Sequence, residues 1–85
     1  MSKVQLLTQN RCPKCDQLKS FLEMGLRSKY ANDIVEVKRE EDQEGFMDLV
    51  SKHGLMQTPV LVFGDKVLTD VTPSKVTDFL KEVIG

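Results

Sequence analysis

Cysteine and histidine are nearly absent from this sequence, and that scarcity narrows the chemistry open to it. Two cysteines in 85 residues are too few for a disulfide scaffold. A structural zinc site needs four ligands, and beyond the two thiols the chain offers one histidine, His53. No metal ligand set is therefore expected within one chain. No apolar run approaches the roughly 20 residues of a transmembrane helix. Met1-Ser2-Lys3 leads straight into a strand-like segment, which does not read as a signal peptide. Charge of one sign is also missing: 12 basic against 13 acidic residues give a net charge of -1, with no overall pull toward nucleic acid or an anionic membrane. With 40% apolar and 29% charged residues, the chain reads as one small soluble domain, 1–85, with the reducing cytoplasm as its default compartment.

Both cysteines lie in Arg11-Cys12-Pro13-Lys14-Cys15, between a strand-like and a helix-like run. A thiol at a helix N-terminus feels the partial positive charge of unpaired backbone N–H groups, which favours thiolate over thiol. Arg11 and Lys14 add positive charge on either side. Pro13 suits a first helical position, because its φ is already helical and its missing N–H has no helical partner to lose. Cys15 lies about one turn further on, near enough to close a small disulfide ring. In thiol–disulfide exchange one sulfur attacks and the other resolves. Cys12, at the helix mouth, is the expected attacker and Cys15 the resolving thiol.

Around this motif the chain alternates short apolar runs with helical periodicity. Lys3–Thr8 reads as a buried strand, and from Pro13 onward Leu18, Phe21, Leu22 and Gly25 fall on one helical face. Arg27–Asp33 has no period and reads as a loop; Ile34–Val37 is a β-branched strand. The charge-dense Lys38–Glu44 reads as a solvated loop and helix start. Phe46, Leu49, Val50 and His53 then repeat at helical spacing before a stop at Gly54. His53 is expected at the helix end, where partial positive charge suits the dipole. Thr58–Phe63 reads as a strand opening with proline, Gly64-Asp65 as a hairpin turn and Lys66–Thr69 as the return. Thr72-Pro73 reads as the cap and first residue of a last helix carrying Val76, Phe79, Leu80, Val83 and Ile84. Met24, Met47 and Met56 are expected in the core or at its rim. Pro59 at a strand opening is ordinarily a trans edge proline, and a cis Thr58-Pro59 bond explains it as well.

The element order, Cys12-Pro13-Lys14-Cys15 after the first strand, and Thr58-Pro59 opening the third together resemble a glutaredoxin of the thioredoxin superfamily. The resemblance covers nearly the whole chain. It implies an α/β fold, thioredoxin-like β-α-β-α-β-β-α, with a four-stranded mixed sheet and helices on both faces. By position, Cys12 resembles the nucleophile, Cys15 the resolving cysteine, and Pro59 a cis-proline facing the disulfide. Thr58 resembles the residue whose backbone pairs with a bound cysteinyl peptide or glutathione. Lys14 stands where many glutaredoxins have tyrosine. Thr69-Asp70-Val71-Thr72-Pro73 stands where they commonly have a glycine pair, a polar residue and an aspartate; Asp70 remains the candidate for the glutathione ammonium.

The resemblance implies a dithiol–disulfide oxidoreductase that reduces protein or glutathione mixed disulfides, with catalytic Cys12 and Cys15 and substrate-binding Lys14, Thr58, Pro59 and Asp70. No cofactor is expected to be bound; glutathione is the expected electron donor. Expected partners are protein disulfides, of which ribonucleotide reductase is a common one, and the protein is expected to act as a monomer without nucleic acid or membrane. Two other readings stand beside it. One is a small redoxin recycled by a thioredoxin reductase. The other, of a different class, is a non-catalytic module that docks a peptide or cluster on the same fold.

Overall fold

A computed structural model describes residues 3–85; Met1 and Ser2, ahead of the first strand, lie outside the described residues. The elements are β1 Val4–Thr8, α1 Pro13–Ser20, β2 Ile34–Lys38, α2 Gln43–His53, β3 Val60–Phe63, β4 Lys66–Leu68 and α3 Pro73–Val83. The strands form one mixed sheet in the order β2-β1-β3-β4. β1 runs parallel to β2, with Val4 opposite Ile34, and antiparallel to β3, with Leu6 opposite Leu61. β4 closes the hairpin antiparallel to β3, with Val67 opposite Val62. This is the β-α-β-α-β-β-α mixed sheet that the sequence suggests.

Alternation along the two central strands divides the core. Val4, Leu6 and Leu61 point to the face covered by Leu18 of α1 and by Val76, Phe79 and Leu80 of α3. Leu7, Val60 and Val62 point the other way, to Phe46 of α2, Leu55 and Val37. Because both faces are covered, β1 and β3 read as nearly continuous apolar runs. Tyr30, in the segment without periodicity, is buried in the first cluster. Asp42, inside the charged run, caps α2 by accepting the Gly45 N–H at 3.0 Å, and Gly54 ends that helix in the left-handed conformation at φ 63°.

Several expectations need correction. β3 begins at Val60, not at Thr58. Pro59 has no N–H to give a ladder, and the register with β1 starts at Val60 opposite Leu7. α1 does not run on as an α-helix to Gly25: it ends at Ser20, and Phe21–Gly25 form a π-turn in which the Leu26 N–H donates to the Phe21 carbonyl at 3.0 Å. Gly25 is therefore exposed and off the buried face. Arg27 and Ser28 follow at φ 52° and 55°, reversing the chain. Thr72 occupies the N-cap of α3, but its side chain makes no capping bond. Met24, Met47 and Met56 are exposed, Met56 to 97%, and belong neither to the core nor to its rim.

α1 is tied to the sheet at its polar end by Glu36 of β2. The Thr8 hydroxyl donates to the Glu36 carboxylate at 2.6 Å, and the Lys19 ammonium donates to the same oxygen at 3.0 Å. Burial pushes the Glu36 carboxyl up. The hydrogen bonds from Thr8 and Lys19 and the charges of Lys19 and Lys38 outweigh it, so the group ionises below its ordinary value of 4.5. The unfolded chain then binds this proton more readily than the native one. The stabilisation is present above the unfolded pKa and is lost as pH falls through the folded one. Glu36→Gln should lower stability at neutral pH by up to about 1 kcal/mol, since the pair is partly in water and screened. In urea unfolding the gap from wild type should shrink below pH 4.5; a gap of equal size at acid and neutral pH would contradict the account.

Candidate active site

The β1–α1 junction sets the geometry of the two cysteines. Arg11 adopts φ 55°, a left-handed conformation that costs a non-glycine residue about 1–2 kcal/mol. The Asn10 N–H donates to Glu40 across the loop at 2.9 Å and holds the turn from the other side. Cys12 follows as the N-cap of α1, with extended backbone at φ -120° and ψ 92°. Its sulfur accepts the Cys15 N–H at 3.1 Å, and its carbonyl accepts the Asp16 N–H at 3.1 Å. The sulfur thus takes the place that a serine or aspartate oxygen takes at an ordinary N-cap. Cys12 and Cys15 are joined in a disulfide with their Cα atoms 5.2 Å apart. Cys12 keeps 8% of its surface and Cys15 1%. Both cysteines are buried, and Cys12 is the more accessible of the two.

Thr58 supplies a contact that sequence reasoning missed. Its Oγ1 lies 3.6 Å from the Cys12 sulfur. A disulfide sulfur carries no proton, so the hydroxyl is the donor, and it would donate equally to a thiolate. The sequence reading used only the Thr58 backbone; a threonine beside Pro59 gave no cue to where its hydroxyl points. The Thr58-Pro59 bond is cis, as the resemblance implies.

A cleft of about 570 Å³ opens between α1 and the loops before β3 and after β4. Lys14, Thr58, Pro59 and Asp70 all line it, so the four residues proposed to contact substrate are brought to one place. The Gln57 side chain donates to the Thr69 carbonyl at 3.1 Å and joins the two loops. Asp70 is already engaged, its carboxylate 2.6 Å from the Lys75 ammonium. His53 lies outside this cleft, at the end of α2, and its buried Nε2 has no partner among the described residues.

A family model described as "Thioredoxin domain" matches residues 2–83. The fold is similar to the crystal structure of a thioredoxin-like protein, solved as a point mutant, at 22% identity and a TM-score of 0.68, covering 92% of this chain and 99% of that one. It is also similar to a glutaredoxin from Archaeoglobus fulgidus, at 22% identity and a TM-score of 0.69, covering 95% of this chain and 88% of that one. No curated protein sequence matches the chain. At such identity the two structures speak for the fold alone.

The hydroxyl contact yields an expected outcome. Thr58→Val keeps the side chain's shape and deletes the donor, so Cys12 in the reduced protein should react with iodoacetamide about threefold to tenfold more slowly at neutral pH. Thr58→Ser should keep most of the rate. Equal rates in Thr58→Val and wild type, read by mass spectrometry of the labelled peptide, would remove the hydroxyl from the account.

Proposed function

The chain belongs to the thioredoxin-domain family, and on that premise we propose that it is a glutaredoxin-like dithiol–disulfide oxidoreductase acting through Cys12 and Cys15. The observation that carries this reading is the Cys12 sulfur at the N-cap of α1, bonded to Cys15 and accepting its N–H. In the reduced enzyme the same N–H and the Thr58 hydroxyl stabilise the Cys12 thiolate. That thiolate attacks one sulfur of a substrate disulfide. The substrate S–S bond breaks, the distal sulfur leaves as a thiolate and takes a proton from solvent, and Cys12 becomes half of a mixed disulfide. Cys15 gives up its proton and attacks the Cys12 sulfur. The mixed disulfide breaks, the second substrate thiol leaves, and the Cys12–Cys15 bond forms, two electrons having passed to the substrate.

Return to the dithiol takes two electrons from an external donor, which in this reading is glutathione acting in the cytoplasm. Among the described residues no helix is long and apolar enough to cross a membrane. Thr58 offers backbone groups to a cysteinyl substrate, and Asp70 is the candidate for the glutathione ammonium. Three observations favour a second donor. Asp70 is ion-paired with Lys75, the loop from 69 to 73 has no glycine, and Pro73 has no N–H to give. A redoxin recycled by a thioredoxin reductase would need no such set of partners for the glutamyl end of glutathione. Glutathione should reduce the oxidised protein with weak saturation; reduction by thioredoxin reductase alone would select the second donor.

The division of labour has a direct test. Cys15→Ser should trap a mixed disulfide on Cys12 when a disulfide substrate is added, because nothing remains to displace it. Cys12→Ser should be inert to the same substrate at neutral pH. Mass spectrometry of both variants decides the matter: an adduct on Cys15 in the Cys12→Ser protein, formed as fast as the wild-type reaction, would reverse the roles.

A further inference from the structure

The exchange chemistry uses one end of the cleft, near Cys12 and Thr58. The rest of the lining is mixed: Gln17, Gln57, Thr69 and Thr72 are polar, while Leu18, Phe21, Val71 and Pro73 supply its apolar side chains. Only two lining residues, Lys14 and Asp70, are charged, and Asp70 is held by Lys75. Phe21 stands on the same wall as Lys14, nine residues after Cys12, or about 13 Å along a helix axis. It is half-buried, packed against the core cluster and also lining the cleft.

The placement of that ring is built into the backbone. A Cβ at Gly25 would lie 2.5 Å from Cδ1 and 2.7 Å from Cε1 of Phe21. The ring therefore lies across the glycine, and a side chain there would push it away. The same two residues bound the π-turn, whose wider spacing comes from the bond between the Leu26 N–H and the Phe21 carbonyl. π-Turns are rare and are frequently found at functional sites; this one closes the C-terminal end of α1. Lys14 leaves the wall nearest the disulfide without an aromatic residue, and Phe21 provides one further along.

We propose that Phe21 is a specificity determinant: it forms an apolar subsite for the side chain two residues from the attacked cysteine of an extended polypeptide. This rests on the oxidoreductase reading. Side chains of an extended chain alternate, so when a cysteine points at Cys12 the residues two before and two after it point to the same side, each about 7 Å away. A leucine or phenylalanine at one of those positions spans the remaining distance to Phe21. Glutathione is a tripeptide with cysteine in the middle and has no residue at either position. The subsite thus selects protein disulfides with an apolar residue two places from the cysteine.

The probes are disulfide-linked dimers of five-residue peptides with a central cysteine and either glycine or leucine at both ends, with oxidised glutathione alongside. The dithiol protein is mixed with each, and the second-order rate of reduction is measured. Wild type should reduce the leucine peptide about tenfold faster than the glycine peptide, the discrimination expected of a modest apolar pocket. In Phe21→Ser that ratio, measured within one protein sample, should fall to near unity, and Gly25→Ala should lower it by displacing the ring. Equal rates on both peptides in wild type would overturn the subsite and leave the oxidoreductase reading intact. A preference that survives Phe21→Ser would overturn it too. Reduction of none of the three disulfides would overturn the oxidoreductase reading and the subsite with it. The wild-type series needs no variant, so it decides the question even where Phe21→Ser does not fold.

Discussion

The hydrogen bond from the Cys15 N–H to the Cys12 sulfur joins the fold to the chemistry. It exists because Cys12 is the last non-helical residue before Pro13, and Pro13 starts α1 without sacrificing a donor. The helix can begin there only because β1 delivers the chain to that point from the middle of the sheet. Leu18 then seats the first turns of α1 against Val4, Leu6 and Leu61. A sulfur held in this way faces the positive end of a helix in its thiolate form and its helical neighbour in its disulfide form. Removing the cap position would disturb both the helix start and the thiolate.

The second wall of the site is contributed by loops from the opposite end of the sequence. Val60 is locked to Leu7 in the sheet, and this fixes where Thr58 and Pro59 must lie relative to Cys12. The Gln57 bond to the Thr69 carbonyl then ties the loop before β3 to the loop after β4. Rigid central strands thus position short loops, the usual way in which a small domain keeps reactive groups in register. Charge around the cleft is sparse and partly spent internally by the Asp70–Lys75 pair, while the apolar share is carried by side chains rooted in the core beneath α1 and α3.

Much of this was legible in the sequence. β1 and β3 are apolar runs bounded by polar turns, and Val76, Phe79 and Leu80 repeat at helical spacing, so the order of elements followed from periodicity. The two thiols were the only cysteines in a chain with a single histidine. Other features left no periodic trace. Phe21, Leu22 and Gly25 fit an α-helical spacing as well as they fit the π-turn, and only the register of the Leu26 N–H separates the two. Tyr30 packs as a single anchor from an irregular segment, and one residue has no period. Asp42 was hidden as a cap within a run of charges. The exposed methionines have apolar side chains that composition assigns to a core, and their exposure depends on tertiary placement. The Thr58 hydroxyl contact joins residues 46 positions apart, and nothing local encodes it.

The central claim is that the capped sulfur is the nucleophile and its partner one turn inside is not. The most direct measurement labels the reduced wild-type protein with iodoacetamide from about pH 5 to 9 and quantifies each cysteine by mass spectrometry. The account predicts that Cys12 labels at a rate already near its plateau at neutral pH. Cys15 should stay slow until the medium is distinctly alkaline. Two cysteines that rise together above neutral pH, or a Cys15 that leads, would contradict it.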